Sequence, residues 1–273
     1  MVLPVHDVNP HRRTPVVTYA LIAVNVVVFL LSPIASTFTG SGSAASQCRQ
    51  VAYLDHYAAK PDEVIGNDQP TEVATGAVGT DASGRVGCVE QSPPPYSKSA
   101  VLSVLTAMFM HGGWLHLLGN MLFLYVFGDN VEDRLGRLRY LAFYLLCGFA
   151  ATYGFAAVDP SSTAPLVGAS GAIAGVLGAY LVLFPRARVW SLLTFFFFLP
   201  VRLPAWLVLG SWFLLQAVYS AGAGITDAAG GVAYVAHVVG FVVGALLVLP
   251  LRGSGRDRRI ADPRFGPYAR RPA

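Results

Sequence analysis

Between Val16 and Leu251 the chain carries six long apolar stretches, at about 16–34, 99–127, 138–158, 168–184, 203–220 and 231–251. Within them the only Asp, Glu, Lys or Arg is Arg139, at the edge of the third. A lipid hydrocarbon core takes roughly 17 to 25 such residues per helical crossing. No water-soluble fold can bury six of them in 273 residues and keep a polar surface, so the pattern predicts an all-α membrane protein with six crossings. Composition agrees: 12% of residues are charged, against about 25% in soluble domains. The apolar piece 189–199, VWSLLTFFFFL, is too short to cross and ends at Pro200, so it is expected to lie as a loop at the membrane surface.

The placement of charge predicts orientation. Fifteen of the 19 Lys and Arg fall in segments 1–15, 128–139, 185–202 and 252–273, which share one side if six spans alternate. Loop 39–98 holds the other four, together with seven acids. Basic residues concentrate on the cytoplasmic side, so both termini are expected there. The organisation is then a cytoplasmic tail over 1–15, a membrane domain over 16–251 and a basic cytoplasmic tail over 252–273. A cleaved leader, with Arg12 and Arg13 before span one and SGSAAS as the cleavage zone, is the alternative, and the length of the first apolar run disfavours it. The charges flank apolar runs and form no aromatic–basic patch, which argues against nucleic-acid binding.

Loop 39–98 is rich in Gly, Ser, Thr and Pro and is expected to have little regular structure. Cys48 and Cys88 both lie in it, on the oxidising side, so a disulfide between them is favoured over two free thiols. Cys147 reads as an inert packing residue in span three.

Polar residues inside the spans are the functional candidates. His116 and Asn120, four apart, share one helical face near the outer end of span two. His111, in HGG, reads as a structural hydrogen-bonding residue beside a helix start. In span six His237, Gly240 and Gly244 share a face, and the two glycines admit a close helix neighbour. Span four offers Gly171, Gly175 and Gly178 as the complement, with Ser170 at its start. Packing these faces together brings Ser170 near His237. A serine hydroxyl needs an adjacent base to act as a nucleophile, and neutral His237 can be that base. No carboxylate lies in a span, so a dyad is implied. Asn120, His116 and the Ser170 amide at a helix N-terminus could supply the donors that a developing oxyanion requires. Three histidines could instead hold zinc, but no acid or cysteine completes a ligand set; no metal and no cofactor are expected.

Together HGGWLHLLGNMLFL, VEDRLG (131–136), GASG (168–171) and AHVVGFVVG (236–244) resemble the rhomboid intramembrane serine proteases of bacterial type. The resemblance covers almost all of the membrane domain. It implies a six-helix bundle whose short, central fourth helix carries the nucleophile, with transmembrane proteins of the same bilayer as substrates. By resemblance Ser170 is the nucleophile, His237 the general base, and His116, Asn120 and the Ser170 amide the oxyanion hole. Gly168 would let the loop approach the substrate, and Glu132 and Arg134 match a structural hydrogen-bonding element of the loop after span two. Substrate is expected to enter sideways past span five, with loop 221–230 as a mobile cap and the plasma membrane of a bacterium as the setting. Many family members place an aromatic residue one turn after the serine, against the histidine; here that position is Ala174. The competing readings are an inactive relative that binds membrane clients, which the intact Ser170, His237 and Asn120 disfavour, and a histidine-relay carrier, which the missing midplane acid disfavours.

Overall fold

The computed structural model describes residues 2–9, 12–36, 42–66, 68–80, 83–193, 198–222 and 233–251. The protein is mostly helical. Helix α1 (Val16–Leu31) is followed, in the long loop, by α2 (Ala44–Tyr57) and α3 (Pro61–Gly66), and then by α4 (Ala100–Ala107) and α5 (Trp114–Leu135). The remainder is α6 (Arg137–Val158), α7 (Ser170–Leu183), α8 (Ala205–Gly222) and α9 (Tyr234–Val248). Among the described residues α6 alone is both long and apolar enough to meet the criterion for a membrane crossing; α1, α7, α8 and α9 are shorter apolar helices.

Helix α7 is the hub. Every residue from Gly171 to Tyr180 is buried, and α5, α6, α8 and α9 all pack on it. Glycine makes the tightest of these contacts possible. A Cβ at Gly240 would collide with the carbonyl oxygen of Gly171, one at Gly244 with that of Gly175, and one at Gly178 with that of Phe241. The backbones of α7 and α9 therefore touch along two turns, and α6 closes the third side, with Ala151 and Cys147 against Gly171 and Gly175.

The second apolar stretch is not one helix. It breaks after α4, and α5 starts directly after HGG and runs on to Leu135. VEDRLG therefore does not form a loop after the span: Val131–Leu135 are the last turn of α5, and Gly136 (φ 79°) makes the corner into α6 with a positive φ that favours glycine. Glu132 thereby reaches α1. Its carboxylate accepts hydrogen bonds from the backbone N–H groups of Val17 (3.0 Å) and Thr18 (2.7 Å) and from the Thr18 hydroxyl (2.8 Å). Pro15, at the N-cap of α1, provides no side-chain cap; the acid comes from another helix and meets the helix dipole at its positive end. Arg134, also in that motif, stands half-buried in the same turn.

Three sequence expectations fail in the connecting segments. The fold is not all-α. Strand β1 (Val2–Asp7) pairs antiparallel with β4 (Arg188–Leu193), which pairs antiparallel with β5 (Leu199–Pro204). The segment 189–199 is accordingly no surface loop; its start and end are strands, and the N-terminal tail supplies a third. Loop 39–98 is also well structured. Ser43 caps α2, and β2 (Val73–Thr80) and β3 (Val86–Gln91) form a hairpin packed on that helix. Ala59 and Val64 pack in a small apolar cluster with Val104 and Ala107, and cross-links add to it: Cys48 and Cys88 are joined by a disulfide, and the buried Lys98 ammonium pairs with Glu63. Burial pulls the Lys98 ammonium below its ordinary pKa, and the Glu63 hydrogen bond opposes that shift. The unit over 39–98 is tied to the bundle where Leu166 N–H bonds to Ala59 O (2.7 Å) and Asp62 N–H to Ser162 O (3.2 Å).

Candidate active site

The loop tied down by Ala59 ends two residues later at Gly168, which has φ 127°. A side chain there would be strained whatever the space available, and there is none: a Cβ would stand 2.8 Å from His116 Nε2 and 3.5 Å from Ser170 Oγ. The Gly168 N–H bonds to Ala107 O at the end of α4 (2.9 Å). Gly168 thus marks a point where the imidazole of His116 and the hydroxyl of Ser170 converge. Ser170 is the first residue of α7, at the end where a helix leaves N–H groups unpaired and favours negative charge.

His116 and Asn120 come from the first two turns of α5, on one face. The Gly112 N–H points at His116 Nδ1 (3.4 Å). With Nδ1 as acceptor the ring proton sits on Nε2, the nitrogen turned toward Gly168 and Ser170, which makes His116 a donor there. The Asn120 amide nitrogen is buried and finds no hydrogen-bond partner among the described residues. A buried donor left unpaired costs about 1–3 kcal/mol. His111 is fully buried, and its ring packs edge-on against that of His116, centroids 5.1 Å apart.

His237 lies one turn into α9 and is buried. Its neighbour Ala236 presents its carbonyl oxygen 3.9 Å from a Cβ built at Gly171, which is next to Ser170. The Gly171–Gly240 backbone contact lies one turn further along α9. Ser170 and His237 therefore stand at the same level of the α7–α9 seam, brought there by Gly171, Gly240 and Gly244. Ala174 is buried in that seam and carries no ring. The groups on His237 come from α8 instead. Gln216 Oε1 is 2.8 Å from His237 Nδ1, and the Trp212 ring lies 5.8 Å from the imidazole at 36°. Sequence reasoning passed over Gln216 because it sought histidines and acids. The signal was present: a lone glutamine in an otherwise apolar run is as conspicuous as a lone histidine.

A family model described as the rhomboid domain matches residues 98–254, more than half of the chain. The mitochondrial Rhomboid protein 1 of Saccharomyces cerevisiae is 32% identical over 150 residues, covering 53% of this chain and 40% of the yeast protein. The chloroplastic Rhomboid-like protein 11 of Arabidopsis thaliana is 33% identical over 153 residues, covering 53% of this chain and 50% of the plant protein. The Bacillus subtilis rhomboid YdcA is 36% identical over 78 residues, 29% of this chain and 39% of that protein. The chain belongs to the rhomboid family. The matches reach half or less of the length of these relatives, and their names spread over mitochondrion, chloroplast and bacterium rather than singling out a bacterial type.

Proposed function

We propose that this chain is an intramembrane serine endopeptidase that hydrolyses a peptide bond in or beside the transmembrane segment of another membrane protein. The observation that carries the reading is the convergence of His116 Nε2 and Ser170 Oγ on Gly168, with the unpaired Asn120 amide on the same helical face as His116. Ser170 Oγ attacks the scissile carbonyl carbon while His237 Nε2 takes its proton. The oxyanion so formed accepts hydrogen bonds from His116 Nε2–H, the Asn120 amide and the Ser170 backbone N–H. His237 passes its proton to the departing amine, which leaves an acyl-serine. Water, deprotonated by His237, then attacks the ester, and the new carboxyl end is released as His237 returns that proton to Ser170 Oγ. The protonated imidazole cannot begin the cycle, so cleavage is expected to fall on acidification.

Six crossings by α1, α5, α6, α7, α8 and α9 fit the charge pattern. They put the unit over 39–98 and the mouth of the site on the outer face, and the tails over 1–15 and 252–273 on the cytoplasmic side. The disulfide on the outer side agrees with that orientation. The arginine-rich basic composition favours the plasma membrane of a bacterium. Substrate enters sideways past α8, which exposes Leu214, Leu215 and Val218. The expected cap over 221–230 lies almost wholly outside the described residues, as does the basic tail. The alternative is a rhomboid-like protein that binds clients without cutting them. Labelling of the purified chain by a serine-directed phosphonate, together with turnover of a model transmembrane substrate, separates the two. Both are expected in the wild type and both are expected to vanish in Ser170→Ala and His237→Ala. Substantial turnover by either variant refutes the dyad, and no Ser170-dependent labelling or turnover in the wild type favours the client-binding reading.

A further inference from the structure

We propose that Gln216 is the positioning residue of the base, so that the dyad is completed from α8 as Ser170–His237–Gln216. This deepens the protease reading and rests on it. A histidine can take a proton from serine only if the nitrogen facing the hydroxyl carries a free lone pair, and what its other nitrogen bonds to decides that. Gln216 Oε1, 2.8 Å from Nδ1, is an acceptor and nothing else. It holds the ring proton on Nδ1 and leaves Nε2 bare. The reverse arrangement, with the amide nitrogen donating to Nδ1, would move the proton to Nε2 and silence the base.

The surroundings leave the amide little else to do. Gln216 and His237 are both buried. The two serines of α8 hydrogen-bond back to their own helix, Ser211 to Val208 O and Ser220 to Ala217 O, whereas Gln216 reaches across to α9. Trp212, one turn before Gln216 on the same face, lies against the imidazole and against Phe241. Tyr219, one turn after it, stacks on Tyr234, centroids 5.1 Å apart. Three successive turns of α8 thus grip the start of α9, with the amide in the middle of the grip. The opposite side of α8 exposes Leu214, Leu215 and Val218. Ring orientation and tautomer are therefore set by a peripheral helix, and an outward shift of α8 would free the base at the moment it opened the site.

The test measures kcat and KM for a transmembrane substrate with the full chain in proteoliposomes. Gln216→Leu is expected to lower kcat by at least about 10-fold, short of the roughly 10⁴ lost when a triad histidine is held in the wrong tautomer, with KM held within about twofold. Gln216→Glu, whose carboxylate accepts the same proton, is expected to recover much of the loss. A packing role predicts the reverse order, with Leu tolerated and Glu not. An unchanged kcat in Gln216→Leu, or Gln216→Glu less active than Gln216→Leu, overturns the proposal. A second readout needs no turnover. Nitrogen NMR of histidine-labelled protein is expected to show His237 as the Nδ1–H tautomer in the wild type and in Ser170→Ala, and as a mixture in Gln216→Leu. An Nε2–H tautomer in the wild type overturns the proposal even where cleavage is found. The Nδ1–H tautomer without Ser170-dependent cleavage sinks the protease reading and leaves the contact standing.

Discussion

Polar groups inside the apolar runs of this chain are few, and each has to answer for itself. Ser170, His237, His116 and Asn120 stood out for that reason, and the helical spacing of His116 and Asn120 put them on one face before any coordinates. What spacing could not give was tautomer and tilt. Those depend on Gly112 N–H for His116 and on Gln216 for His237, contacts made by a loop and by a helix from another part of the chain. Asn120 offers the sharpest residue-level prediction. Losing one oxyanion donor typically costs about 10²–10³ in rate. Asn120→Ala should fall by about that factor in kcat while His116 and the Ser170 amide keep it measurably above Ser170→Ala. Equal inactivity of the two variants, both well folded by thermal melting, would mean that Asn120 does something other than share the oxyanion.

At the scale of elements, the glycine faces of the fourth and sixth apolar stretches predicted the α7–α9 seam, and the coordinates give its closeness. Gly240 leaves no room for even a methyl group, since a Cβ would meet the Gly171 carbonyl. The obstacle is backbone, which cannot rotate away, so Gly240→Leu should part the helices. A displacement of about 1 Å at the reacting atoms can cost 10²-fold in rate. The expected outcome is loss of activity, of thermal stability or of both; a fully active, fully stable Gly240→Leu would show that the seam does not close at this point. The strands and the outer unit were illegible for a different reason. Strands β1, β4 and β5 are apolar but short, and a short apolar run has no period that separates strand from interfacial coil. The outer unit over 39–98 is held by a disulfide and buried ion pairs, which a reading of hydrophobic pattern does not weigh. The role of Glu132 was hidden similarly, because its partners lie more than a hundred residues earlier, at the head of α1.

For the molecule as a whole, the end away from Ser170 is closed by β1, and Asp7 is its clasp. The carboxylate is buried, accepts from the Asn130 amide (2.9 Å) and from the hydroxyl of Tyr180 on α7, and has Asp129 nearby. Burial pushes its pKa up to about 7, from an ordinary 3.8. The folded state therefore holds this proton more tightly than the unfolded chain. Its contribution to stability is greatest at low pH, declines as pH rises from about 4 to about 7, and is flat above. Melting of the wild type should drop by several degrees between pH 5 and pH 8, relative to an Asp7→Asn variant in which this component is missing. Parallel melting curves for the two proteins across that range would remove Asp7 as the cause. The clasp also has a consequence for biosynthesis. Asp7 and Tyr180 are 173 residues apart in sequence, and β1 pairs with a strand that starts later still, at Arg188. β1 is thus made well before the strand it pairs with, and the three-stranded sheet can close only after α7, the helix that starts at Ser170, has been translated. A product truncated before Arg188 would leave β1 without the strand it pairs with, and an unpaired strand edge invites aggregation.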